Sequence, residues 1–411
     1  MVPFDPRDEA FLADPYPTFA GLRAQAPVHH HPLLGMPVAV SHAACSQVLR
    51  SRDLGRIWVD AQPADAFTAF NLLHRNSLLE REGASHARLR AMVAGAFNPG
   101  GWKARRRRAG AGHDKHTARL APRVAELAAR LVGELAATID AVGDADLMST
   151  VAAPLPVEVI GELLGVPEPA RSLLRGWSNA IVTMYEPDPG QARRAAAEQA
   201  ATEFVAELRA FARHRARRPG DDLVSDLVAA QLGPDELVGT AALLLMAGHE
   251  ATVNVIGNGT LALLTHPGQW DRLLADPDLD ARCVEELIRF DAPLQLFERT
   301  ALADCEVAGY PVPAGTKIAA LLGAAARDPE AFPRPDDLDV GRRPNAHLGF
   351  GAGVHYCLGA PLARLEVAAT LAALRNQLPD LELAAPPRRR PDFVMRGLVE
   401  LRVRRGPARA R

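Results

Sequence analysis

Residues 350–359, Phe350-Gly351-Ala352-Gly353-Val354-His355-Tyr356-Cys357-Leu358-Gly359, set one cysteine among three glycines and directly before an alanine- and leucine-rich stretch from Ala360 to Ala373. Glycine lets a backbone turn tightly and approach a planar or bulky group. A cysteine just ahead of a helix faces free amides and the positive end of the helix dipole, both of which favour a thiolate. The chemistry this suggests is a soft, anionic metal ligand. An isolated cysteine is more often a small buried hydrophobe, and the argument for a ligand rests on the whole ten-residue pattern.

A second chemical signal is Ala247-Gly248-His249-Glu250-Ala251-Thr252, which interrupts the most apolar part of the chain with polar groups. Glu250 is a candidate proton carrier, and Gly248 would limit side-chain bulk where a small ligand passes. A third is Glu286-Leu287-Ile288-Arg289, whose acid and base lie three apart and share one helix face.

These residues need elements to hold them. Segments 121–141, 192–214, 235–265 and 358–377 repeat apolar residues at three and four and are expected to be helices. Pro37–Val40, Cys305–Val307, Lys317–Ala320 and Leu398–Val403 read as short strands, with a turn at Pro313-Ala314-Gly315. Three prolines and three arginines in Pro386–Pro391 read as an exposed, solvated loop.

With 411 residues, of which 48% are hydrophobic, the chain can bury a substantial core. Its 47 basic and 49 acidic residues leave a formal net charge of −2, which offers no global reason to expect nucleic acid or an anionic membrane as partner. The 4 cysteines are too few and too scattered for a disulfide scaffold or a CxxC zinc site, and fit a reducing compartment. No signal peptide or membrane anchor is expected, and the reading is a cytoplasmic protein.

The cysteine loop closely resembles that of the cytochrome P450 family, soluble bacterial type. The family pattern Phe-Gly-x-Gly-x-His/Arg-x-Cys-x-Gly is matched at Phe350, Gly351, Gly353, His355, Cys357 and Gly359. The resemblance runs from Asp14-Pro15-Tyr16-Pro17 and Leu22-Arg23 to Arg396-Gly397-Leu398. It implies a single domain over residues 1–411, mainly α with a minor β region in the family's triangular-prism fold. It also implies haem b (iron protoporphyrin IX) with Cys357 on the iron and O2 as cosubstrate. An axial thiolate pushes electron density onto iron and favours oxygen–oxygen cleavage.

By the same resemblance, His86, Arg90, Arg299, His347 and His355 are expected to hold the haem propionates, and Glu286, Arg289 and Arg342 to form a structural network. The oxygen-binding region matches at Gly248, Glu250, Ala251 and Thr252, with one departure. Relatives follow the acid with an alcohol, whereas here Ala251 follows Glu250 and Thr252 comes one place late. One residue turns a side chain by about 100° around a helix, so Thr252 cannot simply replace the missing hydroxyl. A modified proton route is expected, completed by a substrate group or ordered water; oxidative coupling or ring formation without oxygen insertion stays open, as does a haem-binding sensor or carrier that does not turn over.

No flavin fingerprint or iron–sulfur cysteine run is present, so electrons must come from outside. The resemblance implies NAD(P)H as the source, through a ferredoxin and its reductase. The basic run Trp102-Lys103-Ala104-Arg105-Arg106-Arg107-Arg108, continued at Lys115 and Arg119, is either a solvated insertion or a surface that steers an acidic ferredoxin or carrier protein. The matching pocket positions suggest a moderately sized, largely apolar metabolite, carrier-bound or free, with secondary metabolism as the expected setting. Phe70, Leu244, Ala247, Leu294, Leu296, Phe297, Phe393 and Leu398 would enclose it, with His74, Arg75 and Gln295 orienting polar groups; for the aromatics, core packing is an equal alternative.

Overall fold

The computed structural model describes residues 4–97 and 116–407. Its longest element is a central helix, Pro234–Thr265, with proline in its first turn, Asp235 and Glu236 at its positive end, and a proline directly after its C-cap, His266. Most of its residues are buried, so it runs through the interior and needs no polar stripe. Around it pack helices His116–Val142, Pro154–Leu164, Glu168–Val182, Gly190–Arg217 and Ala360–Gln377. The four helices expected from periodicity are all present, the first three extended by one to five residues at one or both ends and the last starting at Ala360, two residues later than expected.

A five-stranded sheet lies beside the helices in the order Val28–His31, Met36–Ala39, Lys317–Leu321, Leu296–Ala301, Leu54–Gly55. Only the Met36–Ala39 and Lys317–Leu321 pair is parallel. Leu296–Ala301 carries Phe297 and Arg299 into the interior side of this sheet. The turn at Pro313–Gly315 forms as expected, with Gly315 at φ +80° and Thr316 N–H donating to Pro313 O at 3.1 Å.

Two strand expectations need correction. Leu398–Val403 is not one strand: Leu398–Glu400 pairs with Arg388–Arg389, whereas Arg402–Arg405 joins Ala145–Asp146 and Leu381–Leu383. Leu401 breaks the run by donating its N–H to the Asp146 carboxylate at 2.9 Å. The proline–arginine stretch therefore contributes a strand edge, and its arginines do not all face solvent. We call residues 386–397 the strap. Among the described residues, no single helix is long and apolar enough to cross a membrane.

Candidate active site

The cysteine loop is shaped by its glycines. Gly353 sits at φ +70°, and a Cβ there would come 2.6 Å from the Leu49 carbonyl oxygen, so both conformation and space demand glycine. Gly351 is also left-handed, at φ +69°. Phe350 O accepts the Cys357 N–H at 2.9 Å and closes the loop. Phe350 stacks against the Arg364 guanidinium, 4.5 Å away, fixing the loop to the helix that follows.

Cys357 ends this loop at the head of Ala360–Gln377, with its side chain accessible. The weakly polar protein around the thiol pushes it up, while the amides of Gly359 and Ala360 and the charges of Arg90 and Arg364 pull it down; the net direction is up, although the side chain is reachable from outside. The helix terminus alone therefore does not make the thiolate. A metal does so outright when it binds.

Two further features suit an anionic group. Arg299 is 2% exposed and its one side-chain hydrogen bond goes to the Glu298 carbonyl at 2.9 Å; among the described residues it has no carboxylate partner. Burial drives this guanidinium down to about 10, the signature of a cation that lacks an anion. His86 is also buried, its Nε2 has no hydrogen-bond partner, and its ring centroid lies 4.4 Å from that of His355. Phe297 does not line a free cavity wall: it is sandwiched between Arg299 at 4.7 Å and Arg56 at 5.0 Å, which holds Arg299 in place.

His355 Nε2 lies 2.7 Å from Glu82 Oε1, and Glu82 also accepts the Arg56 N–H. Burial pushes the His355 imidazole below its usual range even against this carboxylate. Arg90 donates to the Tyr356 carbonyl at 2.7 Å, one residue from the cysteine. His347, expected in the same group, is engaged elsewhere. Its Nε2 pairs with Glu285 at 3.1 Å and its Nδ1 accepts the Gly349 N–H at 3.1 Å, so neither ring nitrogen is free. Although burial opposes it, Arg364 and His347 hold Glu285 down to about 2.

On the central helix, Ala247 is the exposed side chain in a largely buried run, flanked by buried Leu244. Gly248 serves a different purpose from the one expected. A Cβ there would lie 2.5 Å from the Ile160 side chain, so this glycine lets helix Pro154–Leu164 approach the central helix. Glu250 is 5% exposed and accepts the Ser178 hydroxyl at 3.0 Å. Thr252 turns away from Glu250 toward Glu366 on the cysteine helix, as the helical offset requires.

Glu366 escaped the sequence reading. It is fully buried, neither carboxyl oxygen makes a regular hydrogen bond, and burial holds it well above the usual carboxylate range with only Thr252 opposing. A signal existed: Leu362, Glu366 and Thr370 repeat at four on the buried face of their helix, and an acid on that stripe is out of place.

Several pocket candidates are structural. Phe393 packs against Phe4 at 5.4 Å and Phe11 at 5.6 Å in an aromatic core that also takes in Leu296 and Leu294. Phe70 packs against both Trp58 and His74, which stack on each other at 4.5 Å. His74 spends both nitrogens, on the Phe70 carbonyl at 2.8 Å and on Tyr185 at 3.0 Å. Arg75 is exposed and paired with Asp60. Gln295 bonds the Ala292 carbonyl, and Leu398 packs near Gly257 and Met148. The expected aromatic wall is thus mainly core. The basic run from Trp102 to Lys115 lies outside the described residues, as does the side chain of Arg119.

Glu286 is wholly buried and its two oxygens accept from Arg289 at 2.8 and 2.8 Å, from Arg342 at 3.0 and 3.0 Å, and from Asp339 N and Asn345 Nδ2. Both guanidiniums reach on to the carbonyls of Asp337, and Arg342 also to those of Pro333 and Arg334. The three residues expected to form one network do so.

An accessible cysteine at the head of a helix, a buried imidazole without a partner against the same loop, and a buried guanidinium without a carboxylate partner suit an anionic prosthetic group held through sulfur. The comparisons agree. The model of the family described as Cytochrome P450 matches residues 181–396. Cytochrome P450 monooxygenase PikC of Streptomyces venezuelae is 37% identical, covering 96% of this chain and 92% of its own. The 6-deoxyerythronolide B hydroxylase of Saccharopolyspora erythraea is 35% identical over 97% of this chain and 98% of its own. P450BioI, solved in complex with a hexadecenoyl-ligated acyl carrier protein, superposes with a TM-score of 0.87 at 31% identity, covering 96% of this chain and 99% of that one. This chain belongs to the cytochrome P450 family. It is a haem-dependent monooxygenase that uses O2 and electrons from an external redox partner.

Proposed function

We propose that the chain, folded as one domain, oxidises a moderately sized, largely apolar secondary metabolite, with Cys357 on the haem iron and His86, Arg90, Arg299 and His355 holding the propionates. Bound there, the haem supplies dioxygen activation, one oxygen atom going to the substrate and the other leaving as water. Arg299 neutralises one carboxylate, and His86 offers its unpartnered Nε2 to another. Glu250 carries protons inward from the side of the central helix that faces Ser178 on helix Glu168–Val182.

The observation that carries the proton-route reading is the pairing of Ala251 with a Thr252 that faces Glu366. No hydroxyl of the central helix follows Glu250 toward Ala247, so a substrate group or ordered water completes the route. Substrate fit then decides how efficiently electrons become product. A ferredoxin with its NAD(P)H-linked reductase is the proposed donor, in the cytoplasm. Carrier-bound substrates are included because P450BioI was solved with its acyl carrier protein.

Carbon monoxide on the reduced, haem-loaded protein is expected to give the strongly red-shifted Soret band of thiolate ligation, abolished in Cys357→Ser. A normal band in that variant would overturn the ligand. Turnover of a natural-product panel with labelled dioxygen is expected to place one labelled atom in product; product without label would instead establish coupling or ring formation. Removing the substrate's hydrogen-bonding group is expected to lower product per electron, and equal coupling would end the substrate-assisted route.

A further inference from the structure

Glu250 is held by groups from three separate parts of the chain. Ser178, on helix Glu168–Val182, donates to Oε1 at 3.0 Å. His249 Nε2 lies 3.4 Å from the same oxygen. Arg390 of the strap places Nη1 3.8 Å from Oε2, within Coulombic reach but beyond hydrogen-bond distance. Arg390 is itself aimed: its Nε donates to Asp392 at 2.9 Å and its N–H to the Gly397 carbonyl at 3.1 Å.

The chain of charges continues to the surface. Asp392 also accepts from Arg193 at 3.1 Å, and Arg193 belongs to the next helix, Gly190–Arg217, with its side chain 41% exposed. Between the two helices, Glu186 accepts the N–H groups of Phe393 and Val394 at 2.9 and 2.9 Å. The helix pair 168–217 and the strap are thus fastened together at Glu186 and Asp392, and the same seating brings Ser178 and Arg390 to opposite oxygens of Glu250.

We infer that Ser178 and Arg390 are positioning residues for Glu250, so that its carboxylate is aimed for proton transfer only while the helix pair is seated on the strap. The inference rests on Glu250 being the proton carrier. The physical argument is one of orientation. A glutamate side chain has three rotatable bonds, and a single hydrogen bond leaves its second oxygen free to swing; a cation on that side fixes it without occupying the lone pairs a proton needs. Burial would push Glu250 toward the neutral acid, and His249, Arg390 and Ser178 reverse this. A network that served packing alone would saturate the carboxylate, as Glu286 is saturated.

The test uses the full, haem-loaded chain with ferredoxin, its reductase and NADH, and reads hydrogen peroxide released per NADH together with the solvent deuterium isotope effect on NADH oxidation. Dioxygen is the probe, because ordered water completes the route when no substrate is bound. Glu250→Gln is expected to slow NADH oxidation by roughly a hundredfold, at the lower end of what a positioned acid supplies. Ser178→Ala and Arg390→Gln are each expected to slow it roughly tenfold by misdirecting that acid, to raise the isotope effect, and to add nothing once Glu250 is Gln. Arg390→Lys is expected to restore most of the rate, because it returns the cation.

An infrared difference spectrum supplies a readout independent of turnover: the carboxylate band lost in Glu250→Gln is expected to weaken in Arg390→Gln. The carbon monoxide band checks that each variant retains its haem site, and Ser178→Ala keeps the test usable if Arg390→Gln loses it. If Glu250→Gln alters these readings while Ser178→Ala and Arg390→Gln match the wild type, the positioning role is wrong. If Glu250→Gln itself changes nothing, the proton-carrier reading fails and takes this inference with it.

Discussion

Glu286 and Glu250 are both buried glutamates on helices, yet their surroundings differ completely. Glu286 meets two guanidiniums, an amide and a side-chain amide, and every lone pair has a donor. Glu250 has one firm hydrogen bond, with a histidine and an arginine at longer range. Saturation removes freedom, so the first carboxylate is a joint between the helix Asp280–Phe290 and the meander carrying Arg342. Incomplete coordination leaves the second carboxylate with lone pairs that no close donor occupies. Glu366 is the limiting case, with no regular partner and pushed well above the usual carboxylate range by burial.

The largest effect is expected where saturation is broken. Glu286→Gln leaves two buried guanidiniums facing one neutral amide and should cost about 3–5 kcal/mol, read as a fall in the urea midpoint with loss of haem. A change under about 1 kcal/mol would place the network's weight elsewhere.

The same substitution at Glu366 should behave oppositely. Because the folded state raises this group above its ordinary value, the unfolded chain releases its proton first as pH rises. Stability is therefore full below the ordinary carboxylate range and declines above it, by at most about 1.4 kcal/mol per pH unit. Glu366→Gln cannot ionise and should flatten that slope when urea midpoints are compared from acidic to neutral pH. An unchanged slope would mean that Glu366 is ionised in the fold.

Arg299 separates binding from folding. Without haem, Arg299→Gln should be at least as stable as the wild type, since a buried cation without a close anion costs desolvation that nothing offsets. With haem, it should lose the group to a scavenger globin several-fold faster. Equal haem loss would remove Arg299 from the cradle. The smallest effect belongs to Arg75, whose exposed pair with Asp60 should contribute under about 0.5 kcal/mol. Arg75→Ala should leave ligand-induced spin-state shifts unchanged, and a lost shift would return it to the pocket.

Local signals read well because their causes are local. The cysteine loop needs positive φ at Gly351 and Gly353 whatever surrounds it, and the periodic helices and the Pro313–Gly315 turn follow from spacing and turn chemistry. The packing need at Gly248 was not legible because it comes from Ile160, some ninety residues away in the chain. The sequence left Phe393 and Phe70 open between pocket and core, and it could not show the partners Phe4, Trp58 and, for His74, Tyr185, which have no fixed spacing from them.

The sequence by itself determined the cysteine loop, the central helix, the Glu-x-x-Arg pair and the one-residue displacement of the hydroxyl after Glu250. Each depends on residue type and on helical or turn geometry over a few positions. Tertiary structure alone decided that His347 serves Glu285, that the arginine-rich strap turns Arg390 inward, and that Ser178 meets Glu250. Those outcomes depend on which distant segments burial drives together, and a Coulombic or hydrogen-bonding partner acts only over a few ångströms of space, however many residues of chain intervene.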